Sequence, residues 1–126
     1  MNEQQFKHRT KQLALRVIRM VEALPPGRSA DIIGKQILRS ATSVGANYRA
    51  ACNSRSDAAM IAKLDIVLEE ADQTLFWEEI LVEAGLVPEA RLADLINETR
   101  QITAMTVTSL KTLRARSHRL LKNRRT

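Results

Sequence analysis

Lys111, Arg114, His118, Lys122 and Arg125 recur at steps of three and four residues near the end of this 126-residue chain. On a continued helix that spacing places them along one face. Arg116, Arg119 and Arg124 widen the patch, and no acid lies between residues 101 and 126. Such a row can contact successive phosphates of RNA or DNA, giving binding that ignores base sequence and weakens steeply with salt. The plainer reading is a solvated helix end favoured by the helix dipole, or a partner for acidic residues elsewhere in the chain. Aromatic residues make up only 3% of the sequence, too few to stack bases and read a single strand specifically.

A second polar set is Arg39, Ser43, Asn47 and Glu70. The first three stand four apart, beside or within the apolar seam of one predicted helix, and Glu70 belongs to the next. Arg39 and Glu70 are expected to pair, with Ser43 and Asn47 satisfying the remaining donors and acceptors, because an unpaired buried charge costs on the order of several kcal/mol. The set reads as a structural network that fixes helix register or subunit contact. No nucleophile, base and orienting group come together, so no enzymatic chemistry is expected. His8 and His118 are far apart and lack companion ligands, and Cys52 is the only cysteine. No metal, cofactor or internal disulfide is therefore expected, and Cys52 reads as a small buried hydrophobe in a reducing compartment.

The elements that must position these residues follow from composition and period. Four Gly and three Pro are too few for the turns of an all-β domain, and the length suits one domain. Helix 1 is expected over about 2–24, with Phe6, Thr10, Leu13, Val17, Met20 and Leu24 as a narrow seam and Leu15 and Ile18 as a second strip. Pro25-Pro26-Gly27 ends it. Helix 2 is expected over about 29–52, capped by Ser29, with Ile33, Ile37, Val44 and Ala51 in a seam that Ser40 and Asn47 share. Gly34 and Gly45 each cost such a helix ~1 kcal/mol, which close helix approach offsets.

Helix 3 is expected over about 57–84, capped by Ser56 and ended by Gly85. Ile61, Leu64, Leu68, Ala71, Leu75 and Val82 are assigned to its apolar side. Asp65, Glu69, Asp72, Glu79 and Glu83 lie on another side, interrupted by Phe76. Phe76 and its neighbour Trp77 cannot both face one core, so this pair marks a subunit interface, with Phe76 the outward member. Tyr48 is assigned to the core with its hydroxyl at a helix end. Helix 4 is expected over about 88–121, with Leu92, Ile96, Leu110, Leu113 and Leu120 in its seam and Thr99, Thr103 and Thr106 between them. The basic tail 122–126 is expected to fray. Short connections force consecutive helices antiparallel, so an all-α, up-down-up-down four-helix bundle is expected.

The runs Leu38-Arg39-Ser40-Ala41-Thr42-Ser43-Val44-Gly45-Ala46-Asn47-Tyr48 and Lys63-Leu64-Asp65-Ile66-Val67-Leu68-Glu69-Glu70-Ala71-Asp72-Gln73-Thr74-Leu75-Phe76-Trp77 resemble the two signatures of the four helix bundle protein family. That family includes proteins encoded in 23S ribosomal RNA intervening sequences. With the Ala50-Ala51-Cys52 and Arg55-Ser56 junction, the resemblance spans about residues 10–115. Gln73, Glu78 and Met60 depart from the usual Glu, apolar residue and Phe. The resemblance implies a four-helix bundle that assembles into a homopentameric ring or barrel. It also implies kinship with the accessory variability proteins of diversity-generating retroelements, which bind nucleic acid and a reverse transcriptase.

Charge along the chain sharpens the choice of partner. Residues 1–55 carry ten Lys/Arg and three Asp/Glu, residues 56–100 carry three and eleven, and residues 101–126 carry seven and none. An acidic element between two basic ones suits pairing within or between subunits, or an anionic partner. The expected function is a non-enzymatic oligomeric bundle that binds an RNA or DNA backbone as an accessory or assembly factor. The alternative is a protein-interaction scaffold. A polar N-terminus and the lack of a bilayer-length apolar run predict a cytoplasmic protein with no membrane segment.

Overall fold

The structure, a computed structural model, describes residues 2–125, with the side chain of Arg125 outside the description. Four helices follow one another, α1 (Glu3–Glu22), α2 (Arg28–Cys52), α3 (Asp57–Glu83) and α4 (Glu89–Arg125). There is no strand among the described residues. Each helix packs on the next, and α4 returns to touch α1, closing an antiparallel up-down-up-down bundle.

Local chemistry sets most of the helix ends. Asn2 accepts from the Gln5 amide at 2.8 Å while the Gln5 side chain accepts from the Asn2 amide at 3.1 Å, a reciprocal capping box. Ser56 caps α3 by accepting from the Ala59 amide at 3.1 Å. Gly85, at φ 75°, ends α3, and the Leu86 amide reaches the Leu81 carbonyl at 3.0 Å, a left-handed stop that favours glycine. Ser29 does not cap α2. That helix begins one residue earlier, with Gly27 at the cap position and no side-chain cap.

The core runs the length of the bundle. Phe6, Leu13 and Val17 of α1 meet Ile33, Ile37, Ala41, Val44 and Tyr48 of α2, with Leu64, Val67, Ala71 and Leu81 of α3 and Leu92, Leu95, Ile102 and Leu110 of α4. Each such Leu, Ile or Val contributes about 1.5–3 kcal/mol on burial. Tyr48 meets Phe6 edge to face at 4.4 Å, and burial pushes its phenol pKa up. Cys52 is only half-buried.

The register of α3 differs from the expected one. Leu64, Val67, Ala71, Thr74, Glu78 and Leu81 face the core, at strict three- and four-residue steps. Leu68 and Val82 instead pack on its flank, partly buried. The apolar residues of α3 form two adjacent strips, and two polar residues in the true core stripe make the wrong strip look the more continuous. In α4, Leu95 and Ile102 are buried and Ile96 is only partly so. Leu120 is 53% exposed because no helix lies opposite it. The segment 122–125 continues α4 instead of fraying, while Thr126 lies outside the described residues.

Gly45 explains its own presence. A Cβ built there would lie 3.4 Å from the Thr10 carbonyl oxygen and 3.5 Å from the Thr10 hydroxyl, so α1 and α2 nearly touch backbone to backbone. A methyl still fits in ordinary contact. Gly45→Ala is therefore expected to raise stability by up to ~1 kcal/mol through helix propensity, whereas the branched side chain of Gly45→Val lowers it by about 1–3 kcal/mol. Urea midpoints of the two variants check the sign reversal.

Candidate nucleic-acid interface

Thirty-seven residues make α4 the longest helix, against 27 for α3. Arg116 stands beside Asp57, the first residue of α3, bonding it at 2.7 and 3.0 Å. Residues 117–125 therefore run past the end of the bundle as a single helical arm, ~14 Å long at 1.5 Å per residue. Leu113 is the last buried residue of the helix, and residues 118–124 are all exposed. A lone helix of this length would be marginal by itself, but it propagates from a packed helix and needs no new nucleus.

The predicted basic row divides at Arg116. Arg114 gives both Asp65 oxygens a hydrogen bond at 2.8 Å, and Arg116 holds the Asp57 carboxyl below its usual range through its hydrogen bonds. These two arginines tie α4 to the acidic side of α3. Lys111 is exposed on the bundle itself. His118, Arg119, Lys122 and Arg124 are exposed on the arm, while the Arg125 side chain lies outside the described residues. The arm carries no carboxylate, and Leu120 and Leu121 stand among its cations at 53% and 54% exposure.

Of the second polar set, the structure brings two members together. Arg39 donates to Glu70 at 3.0 Å and also to the Gln73 side chain. Ser43 and Asn47 do not complete this pair. Asn47 donates to the Ser43 hydroxyl and carbonyl, each at 2.9 Å. Gln73 takes their expected place because α3 packs with Gln73 one turn beyond Glu70. The Arg39 side chain is 51% exposed and that of Glu70 13%, so water solvates the guanidinium while the carboxylate is mostly covered. Phe76 is 52% exposed and meets Trp77 edge to face at 4.9 Å, while Trp77 packs partly buried against the core.

Sequence reasoning noticed Glu78 only as a departure from a pattern. The structure buries it completely, on the core stripe of α3. The Thr99 hydroxyl lies 3.0 Å from Glu78 Oε2 and 3.0 Å from the Leu95 carbonyl, and Glu78 Oε1 has no hydrogen-bond partner. Burial pushes the carboxyl pKa up to about 8, against the opposing pull of the Thr99 bond, Arg16 and Arg100. A protonated Glu78 can donate to Thr99 while Thr99 donates to Leu95. Its spacing from Ala71, Thr74 and Leu81 was the available signal. Lys7, Lys11 and Arg49, which line a groove between α1 and α2, were likewise not singled out. Among the described residues no three His, Cys, Asp or Glu side chains converge to hold a metal, and no helix is long and apolar enough to cross a membrane.

Comparison with known proteins agrees with this architecture. No curated protein matches the chain. The crystal structure of a protein of unknown function from the S23 ribosomal protein family of Bacteroides thetaiotaomicron VPI-5482 is similar to it at 31% identity. The match covers 88% of this chain and 99% of that one, with a TM-score of 0.82. The family model for the 23S rRNA-intervening sequence protein matches residues 2–108, ending before Lys111 and the arm. The arm is thus outside the matched region, while the four packed helices, matched almost from the first residue, place the chain in the 23S rRNA-intervening sequence protein family.

Proposed function

We propose that this protein is a non-enzymatic, oligomeric helical bundle that binds the backbone of RNA or DNA through basic surfaces, as an accessory or assembly factor in the cytoplasm. The arm supports this reading. It places His118, Arg119, Lys122 and Arg124 in solvent without a carboxylate along its length. Packing does not require so concentrated a positive charge, and charge of one sign on a projecting helix attracts polyanions from a distance. Copies held in an oligomer present several arms to one strand, so weak phosphate contacts combine into useful affinity.

Gel retardation over a salt series, with generic single-stranded RNA and duplex DNA, tests the reading. The full chain is expected to bind at low salt and to lose affinity linearly on a log–log plot. A chain ending at Arg116 is expected to bind at least ~tenfold more weakly, having lost several phosphate contacts. No retention of the full chain at low salt ends the proposal.

A second reading, a protein-interaction scaffold, rests on the outer face of α3. Glu69, Asp72, Phe76, Glu79 and Glu83 follow one another there at three- and four-residue steps. The half-exposed Phe76 ring gives that acidic face an apolar centre, the composition of a subunit contact. Light scattering on Phe76→Glu separates the readings. An oligomer that falls apart while the monomer still binds nucleic acid assigns Phe76 to assembly alone.

A further inference from the structure

We infer a second phosphate-binding surface on this protein, the groove between α1 and α2 at the bundle end from which the arm projects. This inference rests on the nucleic-acid reading and deepens it. The groove has a volume of about 570 Å³, and Lys7, His8, Lys11 and Arg49 flank it over a floor of Ala14, Gly45 and Ala46. Lys7, Lys11 and Ala14 on α1, and Thr42, Gly45 and Arg49 on α2, keep three- and four-residue steps, with His8 and Ala46 beside them, so each set lies along one side of its helix.

Two features select the occupant. No carboxylate lines the groove. Glu3 pairs with Lys7 at 3.2 Å, and among the described residues no ion pair engages Lys11 or Arg49. The floor, in contrast, consists of methyl groups and one glycine, left small where α1 and α2 nearly touch. A protein partner needs an apolar centre to bury and aromatic or aliphatic anchors to seat, and this floor offers neither. A sugar–phosphate backbone needs only a channel lined by cations. The Thr42 hydroxyl at the rim gives its proton to the Leu38 carbonyl at 2.6 Å, so the cations supply the attraction.

The antiparallel order puts the N-terminus of α1, the C-terminus of α2 and the C-terminal arm of α4 at one end. A strand held by the groove is therefore within the reach of the arm's own end of the molecule. The two surfaces remain separable by mutation.

The test uses the full chain, the double variant Lys11→Glu/Arg49→Glu and the chain ending at Arg116. Each is titrated with a labelled single-stranded RNA at several salt concentrations. The double variant is expected to bind at least ~tenfold more weakly at ~100 mM salt, with a log–log slope shallower by about 2. In the unmodified chain, bound RNA is expected to shield Lys7 and Lys11 from acetic anhydride while Lys35, on the far part of α2, reacts as before. That second readout does not depend on the variant folding. Unchanged affinity and slope in the double variant, with Lys11 equally reactive in the free and bound protein, overturns the groove. If the chain ending at Arg116 then fails to bind, the arm is the whole interface and the proposed function stands. Shielding of Lys11 by polyglutamate of equal charge but not by RNA would assign the groove to an acidic protein surface and overturn the inference. No RNA binding by the full chain at ~50 mM salt overturns both.

Discussion

Glu78→Leu raises the stability of the bundle by about 4 kcal/mol at pH 9, and by much less at pH 5. The carboxyl titrates at about 8 in the folded chain against an ordinary value of 4.5. Between those values the fold keeps a proton that the unfolded chain has released. The stability associated with the neutral group is complete below pH 4.5, declines as pH rises, and is gone above about 8. Each pH unit between the two values removes about 1.4 kcal/mol, and most of the sum is regained when the ionisable group is removed. Leucine fills a similar volume in the buried stripe of α3, and it leaves Thr99 its bond to the Leu95 carbonyl at 3.0 Å. Glu78→Gln separates the two contributions, because it abolishes the pH dependence but leaves an amide to be satisfied. Urea midpoints from pH 5 to 9 decide the matter. A wild-type curve that stays level from pH 5 to 9, or variants that keep its slope, would show that the Glu78 carboxylate reaches solvent or a cation.

Arg9→Ala destabilises the bundle by about 2 kcal/mol, while Arg114→Ala changes it by less than about 1 kcal/mol. Both arginines bond a carboxylate on a different helix, and their surroundings decide the difference. Arg9 donates from Nε to Glu98 at 2.9 Å and from Nη2 to both Glu98 and Gln101, and its side chain and that of Glu98 are 24% and 19% exposed. Arg114 and Asp65 are 54% and 48% exposed, so water and salt screen that pair. Truncating Arg9 leaves a carboxylate with little access to water. It also removes a polar tie between α1 and α4, the neighbouring helices that touch least. Hydrogen exchange should accordingly loosen in α1 first. Equal losses for the two variants, or a loss for Arg9→Ala that 0.5 M salt erases, would show that burial does not set the strength of these pairs.

The four helices were legible in the sequence because their ends carry local chemistry. Pro25-Pro26-Gly27, Ser56 and Gly85 act through the backbone conformations and amides within a few residues of themselves. The seams of α1 and α2 were legible for a related reason, since one apolar strip dominates each. In α3 two apolar strips compete, and periodicity could not choose between Leu68 and Val67. The neighbours α2 and α4 made that choice by closing over one strip, which enclosed Thr74 and Glu78 as well. The family resemblance read from the two runs agrees with the matched family, and it concerned the region that packs.

The basic row shows the same division. Its charges and their spacing were plain from residue types alone, because helical period depends only on position along the chain. Which cations are neutralised was settled by tertiary structure, since α3 ends its reach beside Arg116 and supplies Asp65 and Asp57 to the arginines it meets. The groove formed by α1 and α2 belongs wholly to that second category. Its cations on α1, up to Lys11, and Arg49 on α2 stand more than thirty residues apart in the chain, and the close packing of α1 on α2 at Thr10 and Gly45 brings them to one channel. Sequence thus determined the helices and the sign of their charges, through interactions that act within a few turns. Tertiary structure decided which of those charges meet each other and which face solvent, because that depends on which helix lies opposite.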